Sequence, residues 1–364
     1  ENLNSAVVLG SPASRGLVWE TTEQLDLGLE IGFLQNRISF EAGYYKKVTK
    51  DLLLNTDIPN TAGVGRLTRN TGSVQNQGVE LLLNTVNVRN DNFKWTSSLS
   101  ISANRSKVLD LGDEDIILLQ NTGNQGNSSA ALIVGQPFPV FIGAEYLGTY
   151  QDPQQIVDDN RIGRSFLGSP RFRDLNGDGT INNQDALTIG SPEADFFGGL
   201  RNTFTYKGFS LDVFFQGSYG NEVFNVLTQT SYYGRGDQNL DPRVLNRWRE
   251  GVDEVSNIPR AGTSTSVFNP NSTVNVEDGS FLRLRTVSLS YDLPIKSTSL
   301  KDVIRNINVY VIGNNLALFS NFSLGDPEVN NFSSGSGFNS VSQGFASGQY
   351  PYARSILTGV KIEF

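Results

Sequence analysis

The clearest candidate chemistry in this sequence is Asp174-Leu175-Asn176-Gly177-Asp178-Gly179-Thr180-Ile181-Asn182-Asn183-Gln184-Asp185. Oxygen-bearing side chains recur at alternate positions, a glycine stands sixth, and an acid closes the stretch. That spacing is the EF-hand calcium-loop pattern, in which alternating donors wrap a hard cation and the glycine allows the sharp turn. The expected ligands are the side chains of Asp174, Asn176, Asp178 and Asp185. The Thr180 carbonyl adds one more, and Asn182 contributes directly or through water. Asp185 stands where a longer glutamate is usual, which shortens its reach. The plainer alternative is a loop of Asx turns that needs no ion.

Other clusters carry weaker signals. Gly112-Asp113-Glu114-Asp115 places carboxylates together, as glycosidase chemistry requires, but it reads first as a solvated loop. Tyr232, Tyr233 and Trp248 offer rings for sugar stacking, for contact with a partner, or for loop packing. The chain has no His and no Cys. That removes Ser-His and Cys-His nucleophile pairs and the usual zinc ligands, so no enzymatic role is expected. Any bound metal is then a hard, oxygen-loving one such as Ca²⁺, in a structural role. A net charge of −8 argues against nucleic-acid binding.

The elements that would position these residues are strands. Leu25, Leu27, Leu29, Ile31 and Phe33 alternate with Asp26, Gly28, Glu30 and Gly32. The same period of two recurs at Ile38–Tyr44, Val79–Leu83, Phe93–Ile101, Leu200–Tyr206, Phe209–Tyr219, Val287–Leu293, Ile307–Val311 and Ile356–Phe364, about nine strands in all. No helix of any length is predicted, and no apolar run is long enough for a transmembrane helix. Connections alternate in length. Those near Leu34–Asn36, Arg89–Asn92, Lys207–Gly208 and Pro294–Asn306 are short; those over Lys50–Gln75, Leu109–Asp195, Asn221–Ser280 and Phe319–Pro351 are long. Short turns at one rim and long loops at the other are the habit of outer-membrane β-barrels.

Aromatic placement fits the same reading. With the C-terminus in the periplasm, Phe33, Trp95, Tyr206, Phe209, Tyr291 and Phe364 fall at one rim, and Trp19, Tyr219 and Tyr352 at the other. Such girdles mark the two membrane interfaces. Asp26, Glu30, Glu41, Asp212 and Gln216 face inward, along a substrate path or against other polypeptide.

Several stretches resemble the SusC/RagA family of TonB-dependent outer-membrane transporters. They are Leu17-Val18-Trp19-Glu20-Thr21-Thr22, then Tyr44-Tyr45-Lys46-Lys47 through Asp51-Leu52-Leu53, and Asn70-Thr71-Gly72 through Asn76-Gln77-Gly78-Val79-Glu80. Asp278-Gly279-Ser280-Phe281-Leu282-Arg283-Leu284, Asn314-Asn315-Leu316, Asp326-Pro327-Glu328 and the terminal Phe364 follow in the family's order. The resemblance implies an all-β fold, an antiparallel transmembrane barrel of 22 strands, of which residues 1–364 form the C-terminal part. It implies an N-terminal plug, not seen in this sequence, through which the TonB-ExbB-ExbD system acts. It also implies a SusD-like surface lipoprotein over the long loops at Leu109–Asp195 and Asn221–Ser280, a glycan or peptide substrate, and outer-membrane lipid around the barrel. Two other readings stay open: a barrel of the same fold with a structural or secretion-associated role, and a soluble glycan-binding β-sandwich.

Overall fold

The computed structural model describes residues 16–57, 66–119, 129–228, 239–261, 271–294, 303–329, 343–348 and 350–364. The segments of period two are strands of one sheet: β1 (Thr21–Phe33), β2 (Ile38–Lys50), β3 (Ser73–Arg89), β4 (Phe93–Asp110), β5 (Phe196–Tyr206), β6 (Phe209–Tyr219), β7 (Phe281–Asp292), β8 (Asn306–Ser320) and β9 (Ser355–Glu363). Every strand pairs antiparallel with its sequence neighbour, so the sheet is a simple meander. β1 and β9 are its edges; the sheet is an open arc.

Local chemistry sets the tight turns at one rim. Leu34, Gln35 and Asn36 all have positive φ, and Arg37 N–H closes the turn on the Leu34 carbonyl. Lys207 and Gly208 both have positive φ, the type I′ geometry whose twist matches a hairpin. Asn90 Oδ1 accepts from the Asn92 and Phe93 amides. The meander therefore places the long connections together at the opposite rim.

The sheet has one apolar face, and that face is exposed. Leu27, Tyr44 and Val79 are aligned across β1, β2 and β3, as are Leu211, Leu289 and Val311 across β6, β7 and β8. Leu25, Leu27, Leu29, Leu289, Val309, Ile356 and Val360 are all open to the surroundings. An apolar surface this extensive is far beyond what a water-soluble monomer displays.

The other face is polar and fitted by shape. Tyr45 lies over Gly78 on the adjacent strand, and its hydroxyl donates to Asn104 Oδ1 at 2.8 Å. A Cβ at Gly78 would stand 2.6 Å from that hydroxyl and 2.7 Å from the Ala103 carbonyl oxygen. Gly78→Val is expected to destabilise the sheet by about 1–3 kcal/mol, the usual cost of overpacking. Thermal unfolding in detergent, compared with Gly43→Val where a Cβ meets only atoms at ordinary contact distance, checks this. Equal loss at both positions would refute it.

The buried apolar core lies where the long connections meet the ends of β3 and β4. Val74, Val108, Leu111, Leu132, Phe141, Phe224 and Phe345 form its main cluster. The long connections therefore carry an apolar core of their own. The connection after β4 has its own sheet, built from Ile116–Leu119, Ala130–Ile133, Val140–Gly143 and Leu187–Gly190. It also has a short helix, α1 (Pro153–Asp158), capped by Asp152. Backbone that leaves the sheet still has to satisfy its hydrogen bonds, and these short ladders do so.

Candidate functional site

Two assemblies stand out at the long-connection rim. The first is the loop at Asp174–Asp185. Asp174 Oδ1 accepts from Gly177 N–H and Oδ2 from Gly179 N–H, both at 2.7 Å. Asp178 Oδ1 accepts from Thr180 N–H at 2.6 Å, and Asn176 Oδ1 from Asp178 N–H at 3.0 Å. Asp185 is fully buried, and its two oxygens accept from Leu175 and Asn182 N–H at 2.9 Å each, tying the loop's ends together. Gly177 and Gly179 both take positive φ. The six expected positions thus share one turn, with every acid holding backbone amides. Asn176 Nδ2 points to Asp178 and Gln184, and Asn182 Nδ2 to the Thr180 carbonyl. Among the described residues no three acidic side chains stand close enough together to form a ready-made metal cluster.

Outside the turn, Arg161 and Arg164 both donate to the Gly179 carbonyl, at 2.6 and 2.9 Å. Nearby, Arg171 makes a two-point ion pair with Asp159 at 2.7 and 3.0 Å. Those Arg171 hydrogen bonds hold the Asp159 carboxyl below its ordinary range. Burial, then the Asp159 charge, pushes Tyr150 up to about 12. The lowered carboxyl contributes stability above its unfolded value near 4 that is lost as pH falls through the folded one. The raised tyrosine contributes stability that is lost as pH climbs from about 10 towards 12. Protease protection of this region is therefore expected to fail below about pH 4 and again above about pH 10. An Asp159→Asn variant that keeps the acid edge unmoved would refute the assignment.

The second assembly lines the polar face of the sheet. Arg283, 2% exposed, reaches Asp326 Oδ1 and Glu328 Oε2, each at 2.7 Å. Arg285 is the extra residue of a bulge that β7 makes against β6. Its guanidinium donates to Asn315 Oδ1 at 3.1 Å. Both guanidinium groups lie 5.1 Å from the Tyr352 ring. Glu328 and Tyr352 in turn face a cavity of about 550 Å³, whose polar walls include Asn76, Asn104, Glu193 and Asn221.

The remaining candidates disperse. Asp113, Glu114 and Asp115 lie on an exposed turn. Trp248 is buried, donates its indole N–H to the Glu254 carbonyl, and lies under Arg260. It packs the loops and presents no sugar platform. Tyr232 and Tyr233 lie outside the described residues. Glu30 faces Glu41 directly across β1 and β2, Asp212 accepts from Thr203, and Gln216 reaches Glu328. Tyr352, expected in an aromatic girdle, instead covers the arginine pair. Sequence reading missed the Arg283 latch, although both of its halves sit in the stretches that carry the family resemblance.

Comparisons agree with this architecture. Residues 4–153 match the family model described as TonB dependent receptor-like, beta-barrel. TonB-dependent receptor P26 of Formosa agariphila is 40% identical over 99% of this chain, which spans 36% of that relative. TonB-dependent receptor SusC of Bacteroides thetaiotaomicron is 26% identical over 96% of this chain and 32% of its own length. Among solved structures, the RagAB peptide transporter matches with a TM-score of 0.77 and 25% identity, over 95% of this chain and 36% of that one. The chain thus spans about a third of these proteins. Along nearly its whole length the chain is similar to the barrel part of TonB-dependent receptors of the SusC and RagA type.

Proposed function

We propose that this segment is part of the wall of an outer-membrane importer. The observation that carries this reading is the sheet's division into an exposed apolar face and a polar face, with a polar cavity on the long-connection side. In lipid, unpaired strand edges are not tolerated, so further strands must meet β1 and β9 and close the barrel, 22 strands in all by family likeness. The tight turns and Phe364 then face the periplasm. The long connections face outward, where a SusD-like lipoprotein covers them. Energy comes through a plug contacted by the TonB-ExbB-ExbD system, and the cargo is an oligomeric nutrient, glycan or peptide. Loops this long usually serve function, and the similar RagAB structure is that of a peptide transporter.

We also propose one Ca²⁺ at Asp174, Asn176, Asp178, Thr180, Asn182 and Asp185, with a structural role. The spacing, the shared turn and the acids' free lone pairs support it.

The test of import is uptake of labelled oligosaccharide and oligopeptide libraries by cells with and without the intact gene, each with and without TonB. Loss of uptake on deletion of either supports the reading. Unchanged uptake of every library, with outer-membrane assembly or secretion impaired, would favour the structural alternative.

A further inference from the structure

Asn176–Gly177 is the only Asn-Gly pair in the sequence, and both residues are exposed. An asparagine side chain holds its amide carbon one ring closure away from the backbone nitrogen of the next residue. Attack of that nitrogen on Cγ forms a cyclic imide and expels ammonia. A side chain on the following residue obstructs the approach, and glycine has none. A Cβ built at Gly177 meets nothing within 4 Å, so the nitrogen lies open to one side.

The turn's hydrogen bonds bear on each atom of that reaction. Asp178 N–H donates to Asn176 Oδ1 at 3.0 Å. Oδ1 takes up negative charge as the nitrogen adds to Cγ, so this amide stands where an oxyanion donor belongs. The same bond folds the Asn176 side chain over its own following backbone, the Asx-turn conformation. Asn176 Nδ2, the leaving nitrogen, is anchored on Asp178 Oδ2 at 3.1 Å and Gln184 Oε1 at 3.0 Å. Gly177 N–H is held by Asp174 Oδ1 at 2.7 Å. Nucleophile, electrophile and leaving group are therefore all fixed in one turn, which removes the orientational cost that a free chain meets.

We propose that Asn176 is a self-modifying residue, converted by its own turn to aspartyl and isoaspartyl. The Gly177 nitrogen gives up its proton to solvent and bonds to Asn176 Cγ. The Cγ–Nδ2 bond breaks, and ammonia leaves with a proton from water. Water then opens the imide. Breaking the new bond at Cγ gives aspartate; breaking the original peptide bond gives isoaspartate, with the chain rerouted through Cγ. No oxidant or reductant is involved. Either product replaces the Nδ2 donor with a carboxylate or a displaced backbone, so Asp178 and Gln184 lose the bonds that Asn176 supplied. The loop gains negative charge and loosens with time.

The test is peptide mapping of the full-length protein held in warm, mildly alkaline buffer with chelator, which keeps the outcome independent of calcium. The segment containing Asn176 should gain one mass unit and resolve into two products, one of them a substrate for an isoaspartate-specific methyltransferase. Conversion should run about tenfold faster than in an unfolded synthetic peptide of the same sequence, because the peptide lacks the fixed donor and the fixed approach. Gly177→Ala, whose methyl has room in the fold but crowds the attacking nitrogen, should slow conversion by about tenfold or more. Asn271, 5% exposed and followed by Ser272, should keep its amide over the same period. The converted fraction should be cleaved faster within 174–185 than the unconverted one. A protein that converts no faster than the peptide, a Gly177→Ala rate equal to wild type, or equal loss of amide at Asn271 would each overturn the proposal. None of these outcomes bears on import.

Discussion

Replacing Arg283 with alanine will free the segment 321–329 from the sheet wall. Arg283 is buried, and both carboxylates it meets are largely buried too: side-chain exposure is 3% for Arg283, 9% for Asp326 and 20% for Glu328. An ion cluster in such a place contributes little net stability when intact, because desolvation offsets the attraction. Removing one partner is different, since the others are left buried and uncompensated, at a cost of about 3–5 kcal/mol. The loss falls on the segment that carries the acids. Its other anchors are few: Phe322 and Val329 join a small apolar cluster with Val223 and Ala346, and the Ser323 amide and hydroxyl donate to Glu277. Amide exchange in that segment should therefore accelerate by more than about 100-fold, at roughly 1.4 kcal/mol per decade. The β6 and β7 amides, held in the sheet ladder, should change much less. Arg283→Lys should recover part of the protection, because a point charge remains but the planar fork does not. Tyr352 should gain mobility in the alanine variant, since one of its two guanidinium neighbours is gone. Exchange within threefold of wild type across 321–329 would show that the apolar cluster and the Ser323–Glu277 hydrogen bonds hold the segment without the arginine.

The antiparallel meander was legible in the sequence and the loop core was not, for a physical reason. Leu25, Leu27 and Leu29 alternate with polar residues because successive side chains of a strand point to opposite faces, one apolar and one polar; that pattern is local and recurs from strand to strand. The same logic located the tight turns at Lys207–Gly208 and Leu34–Asn36. Phe141, Phe224 and Phe345, in contrast, come from three separate connections, and their ring centroids meet at 5.2–5.7 Å. Nothing near any one of them announces the other two. Tyr352 shows a subtler failure. Its position just before β9 fitted an interfacial ring, but its backbone N–H donates to Asp326 Oδ2 at 3.2 Å and its ring turns to the arginines. The missed latch has the same cause. Arg283 and Asp326 each sat in a recognised stretch, but their union depends on the bulge that gives β7 an extra residue at Arg285. Of the Asp174–Asp185 loop, the acids and the glycines were readable from spacing; what each oxygen accepts was not.

Calcium will stabilise the Asp174–Asp185 loop, and the effect will depend on the charge of Asp178. The loop keeps its turn through hydrogen bonds alone, because Asp174 and Asp185 together accept from four backbone amides. Each of those oxygens retains a second lone pair, so amide capping and ion binding are compatible. Asn176 must exchange its present Nδ2 contacts for a carbonyl turned to the ion, and the short Asp185 must reach it from a buried position. Both requirements weaken the site, and extracellular calcium modules commonly bind at about 0.1–1 mM. At about 10 mM Ca²⁺ such a site lies roughly 10–100-fold above its dissociation constant, worth about 1.4–2.7 kcal/mol to the ordered loop. Protease cleavage within 174–185 should slow by about 10–100-fold on adding Ca²⁺ and recover with chelator. Asp178→Asn separates the ion from the turn. The amide oxygen still accepts from Thr180 N–H, so the calcium-free loop should be cleaved at the wild-type rate, but the response to Ca²⁺ should fall by about tenfold. Asp174→Ala removes both caps on Gly177 and Gly179 and should speed cleavage even without the ion. Mg²⁺ at the same concentration should protect poorly, because it dehydrates reluctantly and demands a tighter octahedron. Wild-type cleavage unaffected by Ca²⁺, or an Asp178→Asn loop that responds like the wild type, would show that Asx turns alone account for the motif.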